Sequence, residues 1–445
     1  MRVSFKTFGC RLNQYDTEWL REEVELAGFK TTCLTPKDII NCVPHRQDVC
    51  AIEDDTDVCV INTCTVTGKT CRQARKVIRA WARRSPKPFI IVTGCYAKIS
   101  PRELSQIDGI DLIEPDPKKI ATDFLEVLLL SGIKNFSEHD KAFVKVQEGC
   151  DQFCSYCIVP YARGKPRDRP IQEILQEVGN LIKNGYQEFV LTGTNLGKCK
   201  NLLNIVKSIE LLSEVRRLGL GSIEPLGISD ELLEFIGNSK KCGKYFHIPL
   251  QSGDNKILES MRRWYTREEY EALLHRIKEK VPDSAIGADV IVGFPGESET
   301  EFLNTYNLIA SSPISRLHIF RYSKRPMTQA LNLKNEPQDI IKKKRSKILR
   351  ELGEKKWLEF RTTFIDRTLE AHIEKTVNHN ANGWLIGVTP NYIKVLLEKQ
   401  SFYPPPQDRL KSSLQPLDNQ KVSSAFVNLR IKKIDGSYTY GELVK

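Results

Sequence analysis

Residues 147–169 read QEGCDQFCSYCIVPYARGKPRDR, and Cys150, Cys154 and Cys157 fall within eight of them as C-x3-C-x2-C. An extended chain covers only about 3.3–3.6 Å per residue, so three thiolates on this loop can converge on one inorganic centre. With 13 cysteines in 445 residues, chance supplies this spacing roughly 0.01 times in such a chain. The pattern stands above background. A closed zinc or iron–sulfur site takes four protein ligands. Three would leave a cuboidal cluster with one iron open to another molecule. A zinc site completed by a distant fourth ligand is the plainer alternative.

Around this loop, strand-like and helix-like stretches alternate. FVKVQEG leads into it, and QEFVLTGTNLG, RLGLGSIEP, KYFHIPLQSG, AIGADVIVGFPGE and RLHIFRYS follow. About six β/α units are too few for a closed eightfold barrel. A partial TIM-like barrel over 140–335 is expected, with functional groups at the strand C-termini. Upstream, in 1–135, three apolar strands run into cysteines. One at 2–8 precedes Cys10, VCVIN precedes Cys64, and FIIVTG precedes Cys95. Alternation with helices predicts a small parallel α/β sheet. Such sheets place ligand sites past their strand C-termini, so these three cysteines can meet despite their separation. Asp16 or Thr17 is expected to cap a helix carrying Trp19, Leu20, Val24 and Ala27 and ending at Gly28.

Downstream, Ile340 to Phe360 reads as a basic helix in a linker, 336–367. From 368 to 445 come five short strand patterns, LEAHIEK, GWLIGVT, YIKVLLE, AFVNLRIKKI and YTYGELV, which predict a small antiparallel β-barrel.

No apolar run reaches the 18 residues a membrane span needs, and the N-terminus lacks a signal peptide's apolar core. A cytoplasmic protein without a membrane partner is expected. In that reducing compartment, 13 cysteines argue for metal ligation rather than disulfides. Cys33, Cys59, Cys71, Cys199 and Cys242 read as core or surface residues. Cys42 and Cys50 bracket His45 in 38–55, a solvated loop or a small zinc site. The net charge of +11 leans towards a polyanionic partner. Arg72, Arg75, Lys76, Arg79 and Arg83 share one face of a helix whose stretch, Lys69 to Lys87, holds no acid. Such a face contacts phosphate or is simply solvated. Arg262, Arg263, Trp264 and Tyr265 form a second basic–aromatic patch, for RNA or for capping the barrel.

C-x3-C-x-Y-C with Tyr156, followed by Pro160 and Arg163-Gly164, resembles the radical S-adenosylmethionine (SAM) motif of the methylthiotransferases. KTFGCRLNQYDTE, VINTCTVT and VTGCYA resemble the segments carrying that family's second cluster. The resemblance covers nearly the whole chain and implies two [4Fe–4S] clusters, one on Cys150, Cys154 and Cys157 and one on Cys10, Cys64 and Cys95. It implies that the open iron chelates SAM, which is cleaved reductively to a 5′-deoxyadenosyl radical by an electron from a donor of unspecified identity. Gly193 and Thr194 of LTGTNLG match the motif near the methionyl amine, Gln251 and Ser252 suit the ribose, and Gly293 and Glu297 resemble the motif near adenine. Lys324 and Arg325 of SKRPMT become substrate contacts, and the C-terminal barrel resembles the family's TRAM module. GCRLNQYDTE and LTGTNLG look most like the branch that methylthiolates C2 of N6-threonylcarbamoyladenosine at position 37, in the tRNA anticodon loop. The isopentenyl-adenosine branch, the ribosomal-protein branch and a non-catalytic Fe–S or zinc RNA-binding protein are the alternatives.

Overall fold

The computed structural model describes residues 2–33, 56–125, 140–374, 384–398 and 425–444. The segment 38–55, with Cys42 and Cys50, lies outside the described residues. The N-terminal sheet contains β1 (Arg2–Thr7), β2 (Lys30–Cys33), β3 (Val58–Thr63), β4 (Phe89–Gly94) and β5 (Leu112–Ile113) in the order β2-β1-β3-β4-β5, all parallel. The three expected strands are thus joined by two shorter ones at the edges. β3 is buried along its whole length because alternate residues serve opposite cores. Cys59 and Ile61 pack with Ala74, Val77, Ile78 and Trp81, while Val58 and Val60 pack with Val3, Phe5, Leu20 and Val24.

Helices α1 (Arg11–Leu26), α2 (Gly68–Ala82) and α3 (Cys95–Ile99) follow β1, β3 and β4. α1 starts well before the expected cap. Gly9, at φ +116°, turns the chain so that Cys10 is the N-cap. Thr17 is then inside the helix, its hydroxyl on the Asn13 carbonyl at 3.0 Å.

The central domain opens with β6 (Ala142–Glu148), the cysteine loop, α4 (Val159–Arg163) and a short antiparallel edge, β7 (Arg167–Asp168). α5 (Ile171–Lys183) leads to β8 (Glu188–Gly193), and β9 (Arg217–Leu220), β10 (Tyr245–His247), β11 (Ala285–Val292) and β12 (Arg316–Arg321) follow with intervening helices. β6-β8-β9 and β10-β11-β12 are parallel runs, joined by bridges at Leu218–Cys242 and Ser222–His247. This is the expected six-unit partial barrel. One large apolar core lies between its strands and helices, and Tyr15 of α1 belongs to it.

The basic helix α6 (Asp339–Thr362) packs along β12. Leu349 and Leu352 enter the central core, and Lys342, Arg345 and Lys356 are buried. Its basic residues therefore serve internal contacts as well as the surface. The last strands, β13 (Thr368–Glu374), β14 (Trp384–Val388), β15 (Lys394–Glu398), β16 (Phe426–Asp435) and β17 (Tyr438–Leu443), close a barrel in the order β13-β14-β15-β17-β16. One pairing, β15 with β17, is parallel, where an all-antiparallel barrel was expected. The turn after β14 closes the lower end of the central barrel: Pro390 O accepts from Lys244 N at 2.8 Å, and Tyr392 lies 4.7 Å from the Tyr245 ring.

Candidate active site

Cys10, Cys64 and Cys95 follow β1, β3 and β4, which are neighbours in the sheet, so all three emerge along one edge. Gly94 fixes the last of these turns: at φ +87°, an added Cβ would lie 2.3 Å from Asn62 Oδ1 and 2.6 Å from Thr63 O. Asn13 ties the edge together, its Nδ2 donating to Phe8 O, Asn62 Oδ1 and Thr63 O at 3.0–3.1 Å. Cys10 is the N-cap residue of α1. Burial, with repulsion from the thiols of Cys10 and Cys95, pushes the Cys64 thiol up to about 12.

Cys150, Cys154 and Cys157 sit on the loop after β6. Gly149 precedes them at φ +82°, where a Cβ would lie 2.0 Å from Lys165 O. Cys157 N donates to Cys154 O at 2.9 Å, which curls the loop. Arg263 Nη1 reaches the Cys154 sulfur at 3.3 Å and the Tyr156 hydroxyl at 3.5 Å, and its Nη2 pairs with Glu224. Asn195 Nδ2 is 3.8 Å from the Cys150 sulfur. Burial and the neighbouring thiols raise the Cys157 thiol to about 12. Bound metal is what converts such buried thiols to thiolates.

The chemistry of the donor set separates a cluster from a single ion. One zinc at about 2.3 Å from each thiolate holds its sulfurs within about 4 Å of each other. Among the described residues, the group whose ligand atoms all lie within 4.8 Å of one another is His247, Asp289 and His318, not either cysteine triad. The wider triads suit a multi-iron cluster. Asn195 Oδ1, beside the loop, and Gln251 Oε1 are buried without a partner among the described residues, Gln251 at φ +55°. Two unsatisfied acceptors at strand ends fit a ligand that brings donors, as the amine and ribose of SAM do.

The other residues picked out in the sequence hold loops in place. Thr194 Oγ1 accepts from Gly149 N at 3.1 Å, and Gly193 packs on Gln147. Ser252 Oγ lies 3.2 Å from Thr305 Oγ1. Glu297 accepts from Gly293 N at 3.0 Å and pairs with Arg345 at 2.6 Å. Lys324 pairs with Glu336 at 2.9 Å, and Arg325 is buried, donating to Thr65 Oγ1 at 2.8 Å and to the Cys71 sulfur at 3.3 Å. Arg263 and Tyr265 of the second basic–aromatic patch are buried, whereas Trp264 is 60 % exposed.

Sequence reasoning named Arg163 within its motif and Asp16 as a cap, but it missed that they join the two triads. Arg163 donates to Asp16 at 2.8 Å, to Glu148 at 2.7 Å and to Asn13 Oδ1 at 2.8 Å, and it neighbours Cys95. Lys145 adds a 3.0 Å bond to Asp16. Burial works against the Asp16 carboxylate, but Lys145 and Arg163 hold it below the ordinary range. On α2, Arg72, Lys76, Arg79 and Arg83 are exposed and pair with no carboxylate among the described residues, whereas Arg75 bonds Tyr96 and Glu103 at 2.6 Å.

Residues 144–309 match the radical SAM superfamily, and residues 42–114 match the uncharacterized protein family UPF0004. The class is thus a radical SAM enzyme. The chain is 40% identical, over 81% of its length and 90% of the relative's, to the threonylcarbamoyladenosine tRNA methylthiotransferase MtaB of Aquifex aeolicus (strain VF5). It is 34% identical, over 89% and 90%, to the protein of that name in Bacillus subtilis (strain 168). It belongs to the radical SAM methylthiotransferase family, a family of transferases that use SAM and two [4Fe–4S] clusters. Among solved structures, the radical SAM methyltransferase TsrM of Kitasatospora setae, with cobalamin and a [4Fe–4S] cluster bound, shares the fold. Its TM-score is 0.52 at 14% identity, covering 74% of this chain and 77% of that one.

Proposed function

We propose that this enzyme converts N6-threonylcarbamoyladenosine at position 37 of the tRNA anticodon loop to its 2-methylthio derivative. The observation that carries it is the pair of cysteine triads on adjoining domains, joined through Arg163, in a chain 40% identical to a named threonylcarbamoyladenosine methylthiotransferase. When bound, the clusters and SAM supply the electron, the radical, the sulfur and the methyl group. The target carbon carries no acidic proton, so a general base alone cannot open it. Cys150, Cys154 and Cys157 hold one cluster, and Arg263 and Asn195 place N–H groups beside the thiolates of that loop. Gln251 and Asn195 would offer their free acceptors to the donors of SAM. Cys10, Cys64 and Cys95 hold the other cluster, on the domain that presents the sulfur. An anticodon-loop base can be splayed from its stack into such a site. Among the described residues no helix is long and apolar enough to cross a membrane, and we place the enzyme in the cytoplasm, with its tRNA and an electron donor.

The exposed face of α2 is the tRNA backbone contact in this reading. Its cap is built, with Thr67 accepting from Thr70 N at 3.2 Å, and its apolar side is buried, so charge substitutions outside leave the fold intact. Neutralising Arg72, Lys76, Arg79 and Arg83 together weakens tRNA binding and lowers the log–log salt slope by about three units. Binding titrations across a salt series check this, and an unchanged slope returns the face to plain solvated surface. The reaction itself is tested by nucleoside analysis of tRNA before and after incubation with reconstituted enzyme, SAM and a reductant. Appearance of the 2-methylthio group on the threonylcarbamoyl nucleoside supports the reading, and its appearance on isopentenyl-adenosine instead rejects the substrate.

A further inference from the structure

The threonylcarbamoyl group differs from other adenosine substituents by carrying a carboxylate. A buried site that reads it needs a cation with no acid of its own. Resting on the function proposed above, the cations beside the two triads can be taken in turn. Lys324 is occupied by Glu336, Arg263 by Glu224, and Arg163 by Asp16 and Glu148. Arg325 has no carboxylate partner among the described residues, and its Nε is buried without a partner there, but it is shut in at 8 % exposure with its Nη2 held by Thr65 Oγ1 and the Cys71 sulfur. Arg11 is different. It directly follows Cys10, lies with its guanidinium 5.6 Å from the centre of the Phe143 ring, and has no carboxylate partner among the described residues.

Arg11 also lies beside two strands of the barrel, β6 through Phe143 and β10 through Tyr245. Phe143 lies on β6 on the same side as Lys145, which bonds Asp16 of α1 at 3.0 Å. The Arg11 charge acts on the Lys141 ammonium, just before β6, and on the Tyr245 phenol of β10, and Asp289 acts on the same phenol. Asp289 is tied to His247 at 2.9 Å and His318 at 3.3 Å, the two histidine rings 4.9 Å apart. That acid is thereby engaged by two imidazoles, and the guanidinium is left free.

We propose that Arg11 is the specificity-determining residue that binds the threonyl carboxylate of the substrate nucleoside inside the barrel, with the Phe143 ring beneath it. Adjacent Cα atoms are only about 3.8 Å apart. A guanidinium at 11 and a cluster ligand at 10 therefore fall within the span of one modified nucleoside whose C2 meets the transferred sulfur. The planar fork of arginine matches a carboxylate bidentately, and an apolar ring behind it strengthens that pairing.

The test compares anticodon stem-loop RNAs carrying threonylcarbamoyladenosine with the same loops in which the carboxylate is a methyl ester. The clustered enzyme and its Arg11→Gln and Arg11→Lys variants are assayed under single turnover, with iron content and SAM cleavage measured in parallel. The wild type loses about 10- to 100-fold in rate at subsaturating RNA on the ester. Arg11→Gln treats acid and ester alike, and Arg11→Lys, which keeps the charge but not the fork, retains only part of the preference. A wild type indifferent to esterification overturns the proposal whether or not any variant folds, and so does an Arg11→Gln enzyme that keeps the wild-type ratio. Wild-type methylthiolation of either loop upholds the function in both of those cases. Activity on isopentenyl loops alone rejects the function, and the proposal with it.

Discussion

Replacing Cys150, Cys154 and Cys157 together by alanine leaves about half of the wild-type iron and no SAM cleavage. Each triad belongs to its own element of the fold. The loop after β6 holds one, and the C-terminal edge of β1, β3 and β4 holds the other. The sheet-edge triad keeps its frame of Asn13, Asn62 and Thr63 when the loop is altered. The expected iron loss is therefore confined to one cluster, while the chemistry is lost outright, because the open iron that chelates SAM goes with it. Iron and sulfide assays on anaerobically purified protein, beside a 5′-deoxyadenosine assay, check both halves. Unchanged iron in the triple variant contradicts the assignment of the loop.

The second large effect falls on Arg163, and its pattern is the reverse. Its side chain is 11% exposed and satisfies three acceptors, two of them carboxylates. Arg163→Met leaves Asp16 with Lys145 alone and removes the support beside Cys95. Breaking a buried pair in this way costs about 3–5 kcal/mol. The variant is expected to lose iron from the sheet-edge triad first, while SAM cleavage persists. Arg163→Lys does not restore it, since one ammonium cannot span three acceptors in the plane of a guanidinium. Because Asp16 is held below the ordinary carboxylate range, this latch contributes fully above about pH 4. Its contribution is lost as the pH falls through the depressed folded-state value. Hydrogen exchange of α1 and α4 across that window measures the loss. Wild-type iron and exchange in Arg163→Met contradict the latch.

Much of this architecture is legible in the sequence because its signals are local. Apolar strands running into cysteines predict both the sheet and its ligand edge. Five alternating segments at the C-terminus predict a five-stranded barrel, although the parallel β15–β17 pairing depends on closure and leaves no local trace. The start of α1 was misplaced because capping preferences favour Asp and Thr, whereas Gly9 lets Cys10 take that position. The carboxylate of Asp16 is spent on a partner 147 residues away. Arg263 reads as a surface cation beside Trp264, yet it is buried between Glu224 and the Cys154 sulfur, a contact 109 residues apart in sequence. Arg75 looks unopposed within its own helix, and its acid, Glu103, comes from the helix Pro101–Ser105. The triads were visible, and the donors that surround their sulfurs were not. Long-range pairing of charges has no periodicity to reveal it.

The central claim is that the methylthio group is placed on threonylcarbamoyladenosine. Mass spectrometry of nucleosides from total tRNA measures it directly, in cells with the gene deleted and then restored. Deletion should remove the 2-methylthio form of the threonylcarbamoyl nucleoside, leave its unthiolated parent, and spare methylthiolated isopentenyl-adenosine. Restoration with the wild-type gene should return it, and restoration with the Cys150, Cys154 and Cys157 triple variant should not. Loss of the methylthio group from isopentenyl-adenosine, with the threonylcarbamoyl nucleoside unchanged, contradicts the claim.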